Sequence, residues 1–318
     1  MNTEVKNFKN QTLAPIVLFV YNRPDHTKQT IEALRKNELA KDSQLFIYSD
    51  GFKNELDKEE VLKVRKYLKI IKGFKEIKII ERKQNLGLAN SIINGVTEII
   101  NTYGKVIVLE DDLITSPYFL KFMNEGLDQY QNKEQVISIC GYIYPVGEKL
   151  PDTFFIKGAD CWGWATWKRG WNLFEKDGKK LLKELETKKL TNEFDFNGTY
   201  KYTRMLKNQI KGKNSSWAIR WYASAFLADK LTLYPGRSLV FHNGADGSGT
   251  HCGKLSKIFD VILSTCPLKI NKIKIQENKK IRKMIENYFN SVKMNFFSKV
   301  FKVISLYLKR IIKNKKSV

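Results

Sequence analysis

Three consecutive carboxylates, Glu110, Asp111 and Asp112, close the apolar run in VIVLEDDL, Val106–Leu113. Such a run reads as a buried strand, and like charges crowded at its end are costly unless positive charge sits against them. A divalent cation would supply that charge. Oxygen ligands suit Mg2+ or Mn2+, which keep coordination positions open for phosphate oxygens. A solvated acidic turn is the plainer alternative, and the ends of three other apolar runs weigh against it. Tyr21, Asn22 and Arg23 follow the first, Asp50 the second, Arg82 and Asn85 the third. Arginine pairs with diphosphate oxygens, and a carboxylate after a second strand can accept from a base N–H or a ribose hydroxyl.

These residues reach a common rim only if their strands run parallel. IVLFVYN (Ile16–Asn22) is a β-rich apolar run, after which Pro24 and Asp25 open a helical pattern through Thr30, Ile31 and Leu34. QLFIYSDG (Gln44–Gly51) leads into a charged helix with apolar Val61, Leu62, Val64, Leu68 and Ile71. IKIIERKQNLG supplies a third strand, Leu88 to Ile100 a third helix, and KVIVLEDD a fourth strand. This alternation implies an α/β fold with a mainly parallel, Rossmann-like sheet, whose ligands bind beyond the carboxyl ends of the strands. The regularity fades from about Ser116. Residues 14–115 then form a nucleotide-binding half and 116–267 a second half of one domain, 1–267, with 268–318 as a separate tail.

The second half holds further candidates. VISICGYIYP (Val136–Pro145) reads as a strand, and DCWGWATWKRGW (Asp160–Trp171) is rich in tryptophan. Indole faces can stack on sugar rings or fill a core. Trp162, Trp164 and Trp217 are candidates for the former. Asp160 is a candidate general base, with a helix cap as its other reading. GADGSGTH (Gly244–His251) offers backbone N–H groups to an anion and His251 to a metal, and nearby His242 competes for the same role.

The chain carries 56 Lys and Arg against 33 Asp and Glu, a formal charge of +23. Leu268–Val318 alone holds 13 Lys and 2 Arg against 2 Glu. Between Val292 and Lys313, Lys299, Lys302, Lys309 and Lys313 recur at helical spacing opposite Phe296, Val300, Val303, Ile304, Leu308, Ile311 and Ile312. A basic amphipathic helix on an anionic membrane surface fits this pattern. A partner-binding helix is the alternative, and no RNA-binding or helix-turn-helix module supports a nucleic-acid partner. The four cysteines form no CxxC pair, which points to a reducing compartment. The N-terminus lacks the apolar stretch of a secretory signal, and no run is long enough to span a bilayer. The expected location is cytoplasmic, peripheral at the inner face of the cell membrane.

Seven ordered blocks, APIVLFVYNRP, IYSDG, QNLGLANSI, VIVLEDDL, DCWGWATWKRGW, SWAIRWYASAFL and DGSGTHC, cover roughly Ala14 to Cys252. Together they resemble the GT-A fold glycosyltransferases, within them bacterial family 2-like sugar transferases related to N-acetylglucosaminyltransferase I. The resemblance implies a nucleotide-sugar donor, a UDP-sugar in the first instance, a Mn2+ or Mg2+ ion, and a glycan or lipid-linked acceptor. It implies that Asp50 holds the nucleobase, that Arg23 and Arg82 lie near the nucleotide, and that Asp112 ligates the metal while Asp111 faces the donor ribose or sugar. His251 is expected to close over the diphosphate or the metal. Enzymes of this group are typically inverting, so a carboxylate should deprotonate the acceptor hydroxyl. Where relatives place an acidic residue near the second tryptophan block this chain has Asn214, Ser215 and Ser216, which leaves Asp160. A metal-dependent nucleotidyltransferase is one alternative, and a basic membrane- or nucleic-acid-binding protein with a degenerate site is another.

Overall fold

A computed structural model describes residues 12–244 and 256–293. Its first half is β1 (Ile16–Val20), α1 (Pro24–Arg35), β2 (Gln44–Ser49), α2 (Glu55–Leu68), β3 (Glu76–Glu81), α3 (Leu88–Tyr103) and β4 (Lys105–Glu110). The second half comprises β5 (Leu113–Thr115), α4 (Phe119–Gln129), β6 (Val136–Cys140), β7 (Thr153–Lys157), β8 (Trp164–Trp167), α5 (Lys168–Trp171), α6 (Gly178–Thr187), α7 (Thr191–Phe194), α8 (Tyr202–Ile210), α9 (Ala218–Leu227), β9 (Leu231–Pro235) and β10 (Val240–His242).

Eight strands form one sheet in the order β3-β2-β1-β4-β8-β6-β9-β7. β1 to β4 are mutually parallel, β8 runs antiparallel between β4 and β6, and β7 is antiparallel to β9. This is the mixed, mainly parallel sheet expected of the GT-A class. β1 shows why such strands read as unbroken apolar runs: all five residues are buried, because helices cover both faces. Successive side chains point to opposite faces. Ile16, Leu18 and Val20 therefore join one core cluster, and Val17 and Phe19 the other.

Local chemistry sets the helix limits. Pro24 sits in the first turn of α1, where its missing N–H costs nothing. The Asn54 side chain caps α2 by accepting from the backbone N–H of Leu56 and Asp57. Gly104, at φ +76°, ends α3 in a left-handed turn that leads directly into β4. The strand read as Val136–Pro145 is shorter than expected and stops at Cys140.

The boundary expected at 267/268 is not where packing ends. Leu268, Ile281, Ile285 and Phe289 are buried in the same core cluster as β1. In the helical residues 279–293, buried Arg282 pairs with Glu277 at 3.1 Å and with buried Glu286 at 3.6 Å. Glu277 also accepts from the Lys157 amide at 3.0 Å, tying the segment to β7. Residues 268–293 thus belong to the domain by packing. The remainder of the expected membrane-binding stretch lies outside the described residues. Among the described residues no helix is long and apolar enough to cross a membrane.

Because Ile285 is 1% exposed, Ile285→Ala should cost roughly 2–5 kcal/mol of stability. Urea titration checks this, and an unchanged midpoint would place the segment outside the cooperative fold.

Candidate functional site

Parallel alignment of β1, β2, β3 and β4 brings their carboxyl ends to one rim, and the residues just beyond them meet there. At the end of β4 the three carboxylates do meet positive charge. Nη2 of Arg23 donates to Asp111 Oδ1 and, at 2.9 Å, to Asp112 Oδ2. His242 Nε2 lies 3.3 Å from the same Asp112 oxygen. His242 reaches this position because β10 pairs antiparallel with β5, setting His242 opposite Leu113. Trp162 stacks on its imidazole, with ring centroids 4.8 Å apart and planes at 7°. The backbone is pinned as well. Thr30 Oγ1 donates to the Asp111 carbonyl at 2.8 Å, and the Asn243 amide to the Asp112 carbonyl at 3.0 Å. Gly244 passes so close that an added Cβ would lie 2.5 Å from Asp112 Oδ2, which leaves room for glycine alone.

Environment separates the three carboxylates. Burial alone would raise Asp112, but His242 and Arg23 outweigh it and pull its pKa down to about 2. Asp111 is pushed up to about 6 by burial and by the charge of Asp112, against the pull of Arg23. Glu110, pressed by burial and by both aspartates, is pushed up to about 8. Arg23 is held more firmly protonated than usual: burial disfavours its charge, but Asp111 and Asp112 together favour it more. Asp112 is therefore the carboxylate that stays ionised across the neutral range, as a metal ligand must.

The other strand ends are braced against one another. Asp50 accepts from the Leu86 amide at 3.0 and 3.1 Å, from Gly87 at 2.9 Å and from Gly51 at 3.0 Å. This carboxylate, expected to hold a nucleobase, clamps the loop after β3. Asn85 assists by donating to the Gly51 carbonyl at 2.7 Å. Arg82 turns onto the Ser91 hydroxyl and carbonyl, with its guanidinium 5.1 Å from the Tyr48 ring centre. Tyr21 and Asn22 both donate to Asp57 in α2, at 2.8 and 3.0 Å. Burial and this bond push the Tyr21 phenol up to about 12. Asp57 was not among the expected site residues. In the sequence it looks like any acid in the first turn of a charged helix.

Asp160 lies in the loop entering β8, the strand next to β4. Its Oδ1 accepts from the Cys161 amide at 2.7 Å, and its Oδ2 from the phenols of Tyr144 at 3.3 Å and Tyr234 at 3.4 Å. Burial raises its pKa against those three donors, which makes its ionised form a stronger base. Burial also pushes the Cys161 thiol up, and the charges of Asp160, Glu110 and Asp112 push it further. Of the three tryptophans expected to bind acceptor, Trp162 remains at the rim. Trp164 and Trp217 do not fit that role. They are 1% and 3% exposed and stack on each other within a cluster completed by Trp171 and Trp221. His251 lies outside the described residues.

The donor set at Asp112 suits a hard divalent ion. Ligands at right angles and about 2.1 Å from a metal are about 3 Å apart, close to the 3.3 Å between Asp112 Oδ2 and His242 Nε2. Among the described residues no group of three or more His, Cys, Asp or Glu side chains gathers around one point. A carboxylate and an imidazole with phosphate oxygens and water is a usual composition for Mg2+ or Mn2+. The Arg23 guanidinium rests on the same carboxylate oxygens.

A family model described as "Glycosyl transferase family 2" matches residues 16–202. Solved structures similar to this chain include the mannosyltransferase PcManGT from Pyrobaculum calidifontis in complex with GDP-Man and Mn2+, at 10% identity and a TM-score of 0.33. S. aureus TarS and its fragment 1–349 each match at 12% identity and a TM-score of 0.32. The matches cover 42%, 47% and 47% of this chain. This chain spans 36%, 25% and 42% of theirs, less than half in each case. No curated protein matches it.

Asparagine at position 50 would keep one acceptor oxygen and turn an NH2 toward the Leu86 and Gly87 amides. Asp50→Asn should therefore speed hydrogen exchange at those two amides about tenfold or more. Unchanged rates would show that another group holds the loop.

Proposed function

The chain belongs to glycosyl transferase family 2, and on that premise we propose that it is a metal-dependent inverting transferase. It moves a sugar from a nucleotide donor of the uridine diphosphate class to a surface glycan or lipid-linked acceptor. The observation that carries this reading is the meeting of Arg23, Asp111, Asp112 and His242 at the strand ends.

Asp112 and His242 would hold the divalent ion. A metal in that position supplies Lewis-acid stabilisation of the departing diphosphate. Arg23 binds the diphosphate oxygens, and Asp111 faces the donor ribose or sugar. Asp50 and Asn85 keep in shape the loop against which the base rests. Asp160 takes the proton of the acceptor hydroxyl as its oxygen bonds to the anomeric carbon. The bond from that carbon to the diphosphate breaks, and the leaving group keeps the electron pair. Tyr144 and Tyr234 orient the base through Oδ2. Trp162, whose ring is already aligned with His242, offers a face for the acceptor sugar.

Met294–Val318 carries six Lys and one Arg with no acidic residue, interleaved with Phe, Val, Ile and Leu. That composition favours adhesion to an anionic membrane surface, where a lipid-linked acceptor is presented. It supports a cytoplasmic enzyme at the inner face of the membrane.

The reading is tested by offering the full chain Mn2+ with a panel of nucleotide sugars. Binding by calorimetry and release of a nucleoside diphosphate are expected. Release of pyrophosphate would identify a nucleotidyltransferase instead. Asp160→Asn should leave donor binding unchanged and lower turnover about 10²–10⁴-fold, the range of a lost general base. Full turnover in that variant would move the base elsewhere.

A further inference from the structure

Resting on the metal-and-nucleotide reading above, we infer that Arg23 is the resting counter-ion of the carboxylate pair and keeps a divalent cation out until a nucleoside diphosphate draws the guanidinium away. The Asp112 oxygen that faces His242 at 3.3 Å also accepts from Arg23 Nη2 at 2.9 Å. A hard cation needs the same lone pairs that the guanidinium N–H now uses. The two positive groups exclude one another there.

The guanidinium is held in a way that favours exchange. Among the described residues its hydrogen-bond partners are Asp111 and Asp112, both through Nη2. Nη1 is buried with no partner among the described residues, an uncommon state for a charged donor. A diphosphate offers oxygens to both terminal nitrogens in the paired geometry that arginine prefers. The carboxylates, as they stand, engage one. The backbone need not move, because Pro24 occupies the first turn of α1 and the Thr27 amide donates to the Arg23 carbonyl at 2.9 Å. A side-chain swing is enough.

The consequence is coupled binding. A cation arriving alone must displace a guanidinium that has no anion to receive it. A cation arriving with a diphosphate finds Asp112 released. Each ligand then tightens the other by the same factor, as linkage requires.

The test is Mn2+ titration of the full chain, read from the electron paramagnetic resonance of the free ion, with and without UDP. Wild type should bind Mn2+ weakly alone and about tenfold or more tightly with UDP, within the usual range of such couplings. Arg23→Met should bind Mn2+ alone about tenfold more tightly than wild type, with the gain from UDP much reduced. Arg23→Lys, which keeps the charge but not the fork, should bind Mn2+ alone as weakly as wild type. If Arg23→Met binds Mn2+ alone no better than wild type, the inference fails. Should that variant be too unstable to titrate, wild type decides the matter, because Mn2+ affinity equal with and without UDP overturns the coupling. Failure of the transferase reading looks different: no sugar donor binds or is turned over, whatever the variants do with Mn2+ alone.

Discussion

The site depends on one electrostatic constraint, the crowding of Glu110, Asp111 and Asp112 at the end of a buried strand. Two like charges about 4 Å apart near a protein surface repel by about 4 kcal/mol, which is comparable with the whole stability of many domains. The chain answers from three directions. Arg23 approaches from the end of β1, His242 from the β5–β10 ribbon, and a proton on Glu110 is favoured by burial. Asp112 collects both partners, Arg23 and His242, and remains the ionised member. In the proposed function the same charge that threatens the fold attracts a cation and its anionic cargo.

The rest of the architecture serves to hold that rim open and rigid. Parallel pairing of β1 with β2 and β4 sets the strand ends level. Asp50 and Asn85 then lock the loops after β2 and β3 together, and Asp57 fixes Tyr21 and Asn22. An added Cβ on Gly51 would lie 2.5 Å from the Gln84 carbonyl carbon, so the two loops touch only because that residue is glycine. β8 runs antiparallel beside β4, and in the loop entering it Trp162 stacks on His242, which lies against Asp112. The two halves of the site thus come from one continuous sheet.

Much of this was legible in the sequence because period and punctuation carry it. Apolar runs ending in polar residues expose β1 to β4 together with the rim residues beyond each strand, and a family match over residues 16–202 agrees with the blocks read there. The features that escaped depend on contacts distant in sequence. A tryptophan's face serves a core as well as a sugar, so Trp164 and Trp217 could not be separated from Trp162 until their burial was known. His242 reaches Asp112 through the pairing of β10 with β5, which no local pattern announces, while His251 lies outside the described residues. The basic charge of 268–293 masked an apolar face, Ile281, Ile285 and Phe289, that packs into the core. Asp50 follows β2 on the rim, and its partners are backbone amides, which have no signature in residue type.

The central claim is that the β4 carboxylates receive a cation carrying a nucleoside diphosphate. The most direct measurement is a crystal structure of the full chain grown with Mn2+ and UDP. The account predicts a Mn2+ ion on Asp112, the diphosphate beside it at the carboxyl ends of β1 and β4, and Arg23 moved from the aspartates to phosphate oxygens. A nucleotide bound away from this rim, or a diphosphate touching none of Arg23, Asp112 and His242, would contradict it.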